Sequence, residues 1–322
     1  MTRISALACG VWLAATAIAF SQDRTQETYV DAAKAGADFA VQGEYQGAAG
    51  PASIGGLHVI AQGDGKFAGV LYAKGLPGAG WDGKTKLALT GETVDGVVRL
   101  TGTNFRGTIQ GGVMKADLDG VALEYKKIER QSPTLGAPAP EGAIVLFDGK
   151  NVDVWQGGKL VEGGLMGIGT RTKRKFKDFT LHLEFRTPFM PFARGQARGN
   201  SGLYLNDQYE FQILDSFGLA GENNECGGYY SFAKPKLNMC LPPLAWQTYD
   251  VDFTMARFDA NGVKTRPAVT TIRLNGVVIH ENYEIPKFNG GGGLADESQS
   301  GSIFVQDHGN PVHFRNIWIV EE

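Results

Sequence analysis

Two stretches in the second half of the chain alternate apolar and polar residues so that groups able to move protons or hold hydroxyls fall on one face of a strand. In 179–186, Phe179, Leu181, Leu183 and Phe185 alternate with Thr180, His182, Glu184 and Arg186. In 209–215, Tyr209, Phe211 and Ile213 face one way, while Glu210 and Gln212 face the other. Period-two alternation buries one face and presents the other. A lone outward carboxylate is ordinarily a solvated surface group. Here it has company, because Tyr204, Gln306 and His308 fall in further strand-like runs. Such a surface suits a sugar: planar amide and carboxylate groups bond pairs of hydroxyls, and aromatic rings cover the apolar sugar face.

Within that set Glu210 is the leading candidate for a general base or acid. His308 is the second, since imidazole titrates near neutrality; its alternative is a loop histidine bonded to backbone. Glu184 has two open roles: pairing with Arg186 or Arg315, or joining Glu210 and His308 around a divalent metal. Asn200 and Ser201 fit substrate hydrogen bonding, although Asn-Ser-Gly is also ordinary turn chemistry. Gly290 to Gly293 lack the Lys-Ser/Thr of a phosphate loop, so they read as a mobile loop beside the cleft. His58, His182 and His280 occur singly in strand patterns and read as surface or satisfied core residues.

The elements that must position these groups are β-strands. The 322 residues suffice for two cores, and 45 glycines with little helical periodicity indicate a turn-rich all-β protein. After a segment with helical character (Glu27 to Phe39), residues 27–130 form a small N-terminal β-sandwich or β-roll, read from Asp-Gly turns at 64–65, 95–96 and 119–120 between apolar runs. The proline-rich stretch 131–140 is an extended, semi-rigid linker. Residues 141–322 hold longer strands, including a hairpin through Asn275-Gly276, and imply two packed antiparallel sheets.

A formal net charge of −3 without basic or acidic runs excludes the electrostatic footprint of a nucleic-acid binder. Residues 1–21 have the layout of a secretory signal peptide, which predicts a periplasmic or secreted protein with no membrane span in the mature chain. That compartment leaves Cys226 and Cys240 as the cysteines of the mature chain, and a disulfide between them is the expectation. It would close a loop of about 15 residues and contribute roughly 3 kcal/mol on chain-entropy grounds. Two buried thiols or two metal ligands are the alternatives.

A set of motifs carries a resemblance. Leu146-Phe147-Asp148-Gly149-Lys150-Asn151 with Trp155, then Gly199-Asn200-Ser201-Gly202-Leu203-Tyr204, then 209–215, then Val305-Gln306-Asp307-His308-Gly309-Asn310 with Phe314-Arg315-Asn316-Ile317, resemble in this order the 3-keto-disaccharide hydrolase domain family. The resemblance spans roughly residues 143–320. It implies a concanavalin-like jelly roll and a substrate already oxidised to a ketone at C3 of a glucosyl unit, supplied by a separate sugar 3-dehydrogenase. It also implies elimination of the glycosidic oxygen β to that ketone, followed by hydration. Glu210, His308 and Glu184 would then be catalytic, with Asn200, Ser201, Tyr204, Gln212, Gln306, Arg186 and Arg315 binding the oligosaccharide or glycoside; a divalent metal is left open. Gln212 and Leu214 follow Glu210 where a glucanase of this fold places a second carboxylate, which argues against ordinary retaining hydrolysis. Two other readings stay open: a non-catalytic, lectin-like carbohydrate-binding module, and a glycosidase acting on unoxidised glycans.

Overall fold

A computed structural model describes residues 23–47 and 55–322. The leader-like segment 1–21 lies outside them. Among the described residues no helix is long and apolar enough to cross a membrane.

The N-terminal strands are β1 (Gly43–Gly47), β2 (Gly56–Gly63), β3 (Lys66–Tyr72), β4 (Lys86–Val94), β5 (Val97–Gly102), β6 (Phe105–Gln110), β7 (Val113–Leu118) and β8 (Val121–Ile128). They pair antiparallel in chain order. β8 returns to β1, with Tyr45 opposite Lys127, so the expected small β domain is a closed barrel. Closure satisfies both edge strands, which an open sheet of this size would leave unpaired. The three Asp-Gly turns are as read from the sequence. Asp64, Asp95 and Asp119 have φ of 53°, 51° and 52°, each followed by a glycine also at positive φ, the conformation that two-residue hairpins need. Tyr45, Leu57, Val59, Phe67, Leu100, Phe105 and Tyr125 fill the core. The helix expected over 27–39 is reduced to a 3₁₀ turn, Ala32–Lys34, and a short α1, Gly36–Val41. Gly36 at φ 79° interrupts it, because a left-handed residue cannot continue a right-handed helix.

The remaining strands build a β-sandwich of jelly-roll type. They are β9 (Ile144–Phe147), β10 (Trp155–Gln156), β11 (Leu160–Val161), β12 (Leu165–Met166), β13 (Thr170–Thr172), β14 (Phe179–Arg186), β15 (Ser201–Leu205), β16 (Tyr209–Ile213), β17 (Gln247–Thr254), β18 (Arg257–Phe258), β19 (Lys264–Arg266), β20 (Ala268–Leu274), β21 (Val277–Ile285), β22 (Phe304–Val305) and β23 (His313–Glu321). A small sheet runs β10-β13-β22-β15-β16, and a large one runs β11-β12-β23-β14-β17-β20-β21 with β9 added against β23. Leu181, Leu183 and Phe185 of β14 share one core with Leu203, Phe211 and Ile213 of the small sheet. Alternation then sends Glu184 and Glu210 to opposite outer faces of the sandwich.

Residues 131–140 are bound to the large sheet along its outer face. Ser132 Oγ lies 2.6 Å from Thr248 Oγ1, and Thr134 donates to Asp250 at 2.6 Å. The backbone N–H of Gly136 donates to Glu184 at 2.6 Å, and Ala137 O accepts from Asn316 and Trp318. The barrel abuts the sandwich through β2: Phe217 stacks on His58 at 4.3 Å, and Arg194 donates to Gln62 O at 3.0 Å.

The expected disulfide is not formed. Cys226 and Cys240 are free, buried thiols. The two thiols interact with each other, and each has further contacts: Cys226 Sγ lies 3.8 Å from the Tyr249 hydroxyl, and Cys240 Sγ donates to Leu214 O and Leu241 O at 3.5 and 3.4 Å. Noncovalent bonds hold the connecting segment, with Asn275 donating to Met239 O and Leu241 N donating to Gln247.

Candidate active site

The outer face of the small sheet collects the outward residues of its central and edge strands. Tyr204 of β15 stands opposite Glu210 of β16, and Phe304 of β22 is opposite Tyr204 on the other side. Gly202 lies beneath this group; a Cβ there would meet Glu210 Oε1 at 2.7 Å, so the carboxylate needs a glycine next to it. Tyr204 donates to Glu210 Oε2 at 2.6 Å, and Gln306 Nε2 donates to the Tyr204 hydroxyl at 3.2 Å. Glu210 is only 5% exposed and Tyr204 1%. Burial pushes the Glu210 carboxyl up to about 7, with the Tyr204 hydrogen bond pulling the other way. Burial, and then the nearby Glu210 charge, push the Tyr204 phenol well above its ordinary range, so it remains a proton donor at neutral pH.

Asn289 holds this edge strand from outside: its Oδ1 accepts from Glu210 N at 2.8 Å, and its Nδ2 donates to Glu210 O and Tyr230 O at 3.3 Å. The adjoining glycine loop, expected beside the cleft, packs directly on the site. A Cβ on Gly291 would meet the Tyr204 hydroxyl at 2.1 Å, and one on Gly292 would meet Asp207 O at 1.9 Å. Arg171 of β13 donates to Gly292 O at 3.2 Å, pairs with Asp207 at 3.2 Å and lies over the Phe304 ring at 4.6 Å.

Beside this group runs a chain of amides. Gln212 Nε2 donates to Gln196 Oε1 at 2.9 Å, Asn200 Nδ2 donates to Gln196 O at 2.7 Å, and Asn200 N donates to Asn310 Oδ1 at 2.8 Å. The loop carrying Gln196 and Asn200 is braced by a buried Arg198–Asp215 pair at 2.6 Å, and Arg198 reaches Ala61 O of the barrel. Two buried acceptors here, Gln306 Oε1 and Asn200 Oδ1, have no hydrogen-bond partner. Buried polar atoms are ordinarily paired, so these two stand out on this face.

The structure thus brings together Glu210, Tyr204 and Gln306, with Gln212 and Asn200 in the adjoining amide chain. Ser201 spends its hydroxyl on Gln306 O at 2.8 Å. His308 sits on the exposed loop two residues past Gln306 and makes no hydrogen bond or ion pair among the described residues. Leu214 was expected on the polar face, but β16 ends at Ile213 and Leu214 turns into the core.

Three expectations are corrected. Glu184, Arg186 and Arg315 lie on the outer face of the large sheet, separated from Glu210 by the hydrophobic core, because β14 and β23 belong to that sheet. Glu184 is spent there on Arg315 at 2.6 Å, Asn316 at 2.9 Å and Gly136 N. Its carboxyl is held down at about 2, as burial is outweighed by hydrogen bonds from His182, Asn316, Arg315 and Gly136. A metal shared by Glu184, Glu210 and His308 is therefore ruled out by topology. Among the described residues no group of three or more His, Cys, Asp or Glu side chains is placed to hold a metal.

Arg171, Gln196 and Asn289 were not singled out in the sequence, and Asn310 stood there only as the last residue of the 305–310 motif, without a role of its own. The alternation Thr170-Arg171-Thr172 carried a signal for the first, and the others sit in loops without periodicity.

Residues 142–320, more than half of the chain, match the 3-keto-alpha-glucoside-1,2-lyase-like domain family. The chain belongs to that family. A solved structure described as a candidate glycosyl hydrolase from Parabacteroides distasonis is 33% identical, covers 57% of this chain and 85% of its own, and superposes with a TM-score of 0.51. Two more candidate glycosyl hydrolases from the same organism are 18% and 20% identical. Each covers 56% of this chain, with 95% and 99% of their own lengths and TM-scores of 0.42 and 0.40, too low to carry an argument. No curated protein matches the chain. The family match begins after the barrel and contains every residue of the Glu210 face named above.

Proposed function

We propose that this protein is a carbohydrate-active enzyme that cleaves 3-keto-glucosides by elimination next to the ketone, with Glu210 as the proton-transfer group. The observation that carries the reading is the state of Glu210. It is one buried carboxylate, poised at about 7 beside a phenol that stays protonated, on a polar face with unpartnered acceptors. A retaining glycosidase needs a second carboxylate about 5–5.5 Å away. The one side chain that bonds the Glu210 carboxylate among the described residues is Tyr204, which is not an acid. Elimination beside a ketone does not need that second acid. Family membership supports the same substrate class.

In this mechanism ionised Glu210 takes the C2 proton, and the electron pair moves onto the C3 carbonyl oxygen as an enolate. The enolate re-forms the ketone as the C1–C2 double bond forms and the C1 oxygen leaves, taking a proton. Water then adds across C1–C2, giving net hydrolysis. A base tuned near the working pH is what such a proton transfer favours. Tyr204 and Gln306 orient the carboxylate, and Asn200 and Gln306 supply acceptors for sugar hydroxyls. His308, free of partners, is the proposed donor to the departing oxygen. The ketone must come from a separate sugar 3-dehydrogenase. The leader-like composition of residues 1–21 supports a site of action for this chain outside the cytoplasm.

The deciding experiment incubates the protein with 3-keto-trehalose and, separately, with trehalose, following released sugar and the ultraviolet absorbance of the enone. Cleavage confined to the keto-sugar supports the reading. Equal cleavage of both makes it an ordinary glycosidase, and binding without turnover makes it a carbohydrate-binding module.

A further inference from the structure

The arginines expected in the substrate cleft form a cluster of their own on the far side of the sandwich. Arg186 ends β14, with His313 of β23 opposite it, and Arg315 stands opposite Glu184 two pairs further along, on the same face. Both guanidiniums lie on the same indole: Arg186 at 4.9 Å and Arg315 at 4.0 Å from the Trp246 ring centre. Arg315 gives its Nε to Glu184, which leaves its two terminal nitrogens without a carboxylate among the described residues. Arg186 is half-buried and has no hydrogen-bond acceptor and no ion-pair partner among them. Asp31 acts on Arg186 as an opposing charge without bonding it, since it caps Ala33 and faces Lys34. Burial, and then the Arg315 charge, disfavour the charged Arg186, and burial followed by Arg186 does the same to His313.

Glu184 balances Arg315, but among the described residues Arg186 and His313 have no anion of their own, and folding alone gives no reason to hold a guanidinium half out of water unpaired. Arginine forks of this kind bind planar carboxylates in pairs of hydrogen bonds. Trp246 also walls a cavity of about 300 Å³ where the barrel meets the sandwich. That volume is at the lower end for small-ligand sites. Its lining combines apolar Phe39 and Leu135 with polar Gln42, Glu44 and Arg130. Gln42 is 3% exposed and its Nε2 has no hydrogen-bond partner. An unpartnered buried amide donor beside aromatic and apolar walls is the combination that a sugar ring with hydroxyls satisfies.

We propose that Arg186, Arg315 and Trp246, together with the adjoining cavity, form a second ligand site that takes an acidic sugar. Its carboxylate lies on the two guanidiniums and its hydroxylated ring in the cavity. The site is on the opposite face from Glu210 and stands whether or not the keto-sugar reading does.

Titration calorimetry on the full chain at low salt, with D-glucuronate, D-glucose, acetate and sulfate as separate probes, tests it. D-Glucuronate should bind saturably, with D-glucose, acetate and sulfate each at least 10-fold weaker. Arg186→Gln and Trp246→Ala should each weaken glucuronate at least 10-fold. D-Glucose binding as tightly as glucuronate, acetate or sulfate binding as tightly, or no binding of glucuronate overturns the proposal. Thermal unfolding without ligand gives an independent readout: Arg186→Gln should leave the Tm nearly unchanged, because in the empty protein the guanidinium has only its contact with the Trp246 ring and no hydrogen bond or ion pair among the described residues. A drop of several degrees would show that Arg186 is structural and would also overturn it.

Discussion

Tyr204 donates its phenolic proton to Glu210 Oε2 at 2.6 Å from the neighbouring strand, and this bond opposes the burial that drives the Glu210 carboxyl up to about 7. Removing the donor removes the hydrogen bond that favours the ionised form and leaves burial unopposed. Tyr204→Phe should therefore move the acid limb of the activity profile above pH 7, because the base must be ionised to work. A kcat/KM profile from pH 5 to 9 on a 3-keto-glucoside reads the shift, and a limb that stays in place would assign the titration to another group.

Glu210→Gln keeps the shape and most of the hydrogen bonding but removes proton affinity. Turnover should fall by on the order of 10²–10⁴ while substrate affinity stays within a few-fold. Rapid-quench turnover and equilibrium binding, measured on the same variant, separate the two. A wild-type rate would move the proton transfer to His308.

Gly291 lies where a Cβ would sit 2.1 Å from the Tyr204 hydroxyl, on a rigid ring that cannot swing aside. In Gly291→Ala the loop must lift instead, and small displacements at a reacting centre cost on the order of 10²-fold in rate. The loop is on the surface, so the Tm should hardly change. Turnover equal to wild type would show that the loop's seat on Tyr204 has no part in the reaction.

Glu44 and Glu184 are buried carboxylates held down at about 2. Burial works against the charge in each. Arg130 and His58 outweigh it at Glu44, as His182, Asn316, Arg315 and Gly136 do at Glu184. A depressed folded value means stabilisation that is present above the unfolded value near 4.5 and is lost as pH falls from there through about 2. Glu44→Gln should cost about 3–5 kcal/mol at pH 7, since it leaves Arg130 unpaired against a buried site. It should also flatten the loss of stability between pH 4.5 and 2. Urea unfolding at several pH values checks both, and an unchanged acid slope would disprove the assignment.

With Cys226 and Cys240 free, the denatured, unreduced chain lacking residues 1–21 should titrate two thiols. Finding none would restore the covalent bridge that the leader-like sequence suggested.

Sequence alone determined the local structure. Each Asp-Gly turn forced a hairpin, because two successive positive φ angles admit few other residues, and alternation placed Tyr209, Phe211 and Ile213 inward with Glu210 and Gln212 outward. The motifs around Asn200, Glu210 and Gln306 were legible for the same reason, since they lie in or beside regular strands. Which sheet each strand joins was not legible. Glu184 and Glu210 show the same outward period, yet strand order put β14 in the large sheet and β16 in the small one, with the core between them. Closure of the barrel likewise depends on β1 meeting β8 across about eighty residues, a pairing with no local signal. The protonation of Glu210 was decided by tertiary structure as well. A glutamate in a strand is an ordinary acid until a phenol, a glycine and a folded-over loop remove its water, and then burial sets its affinity for the proton.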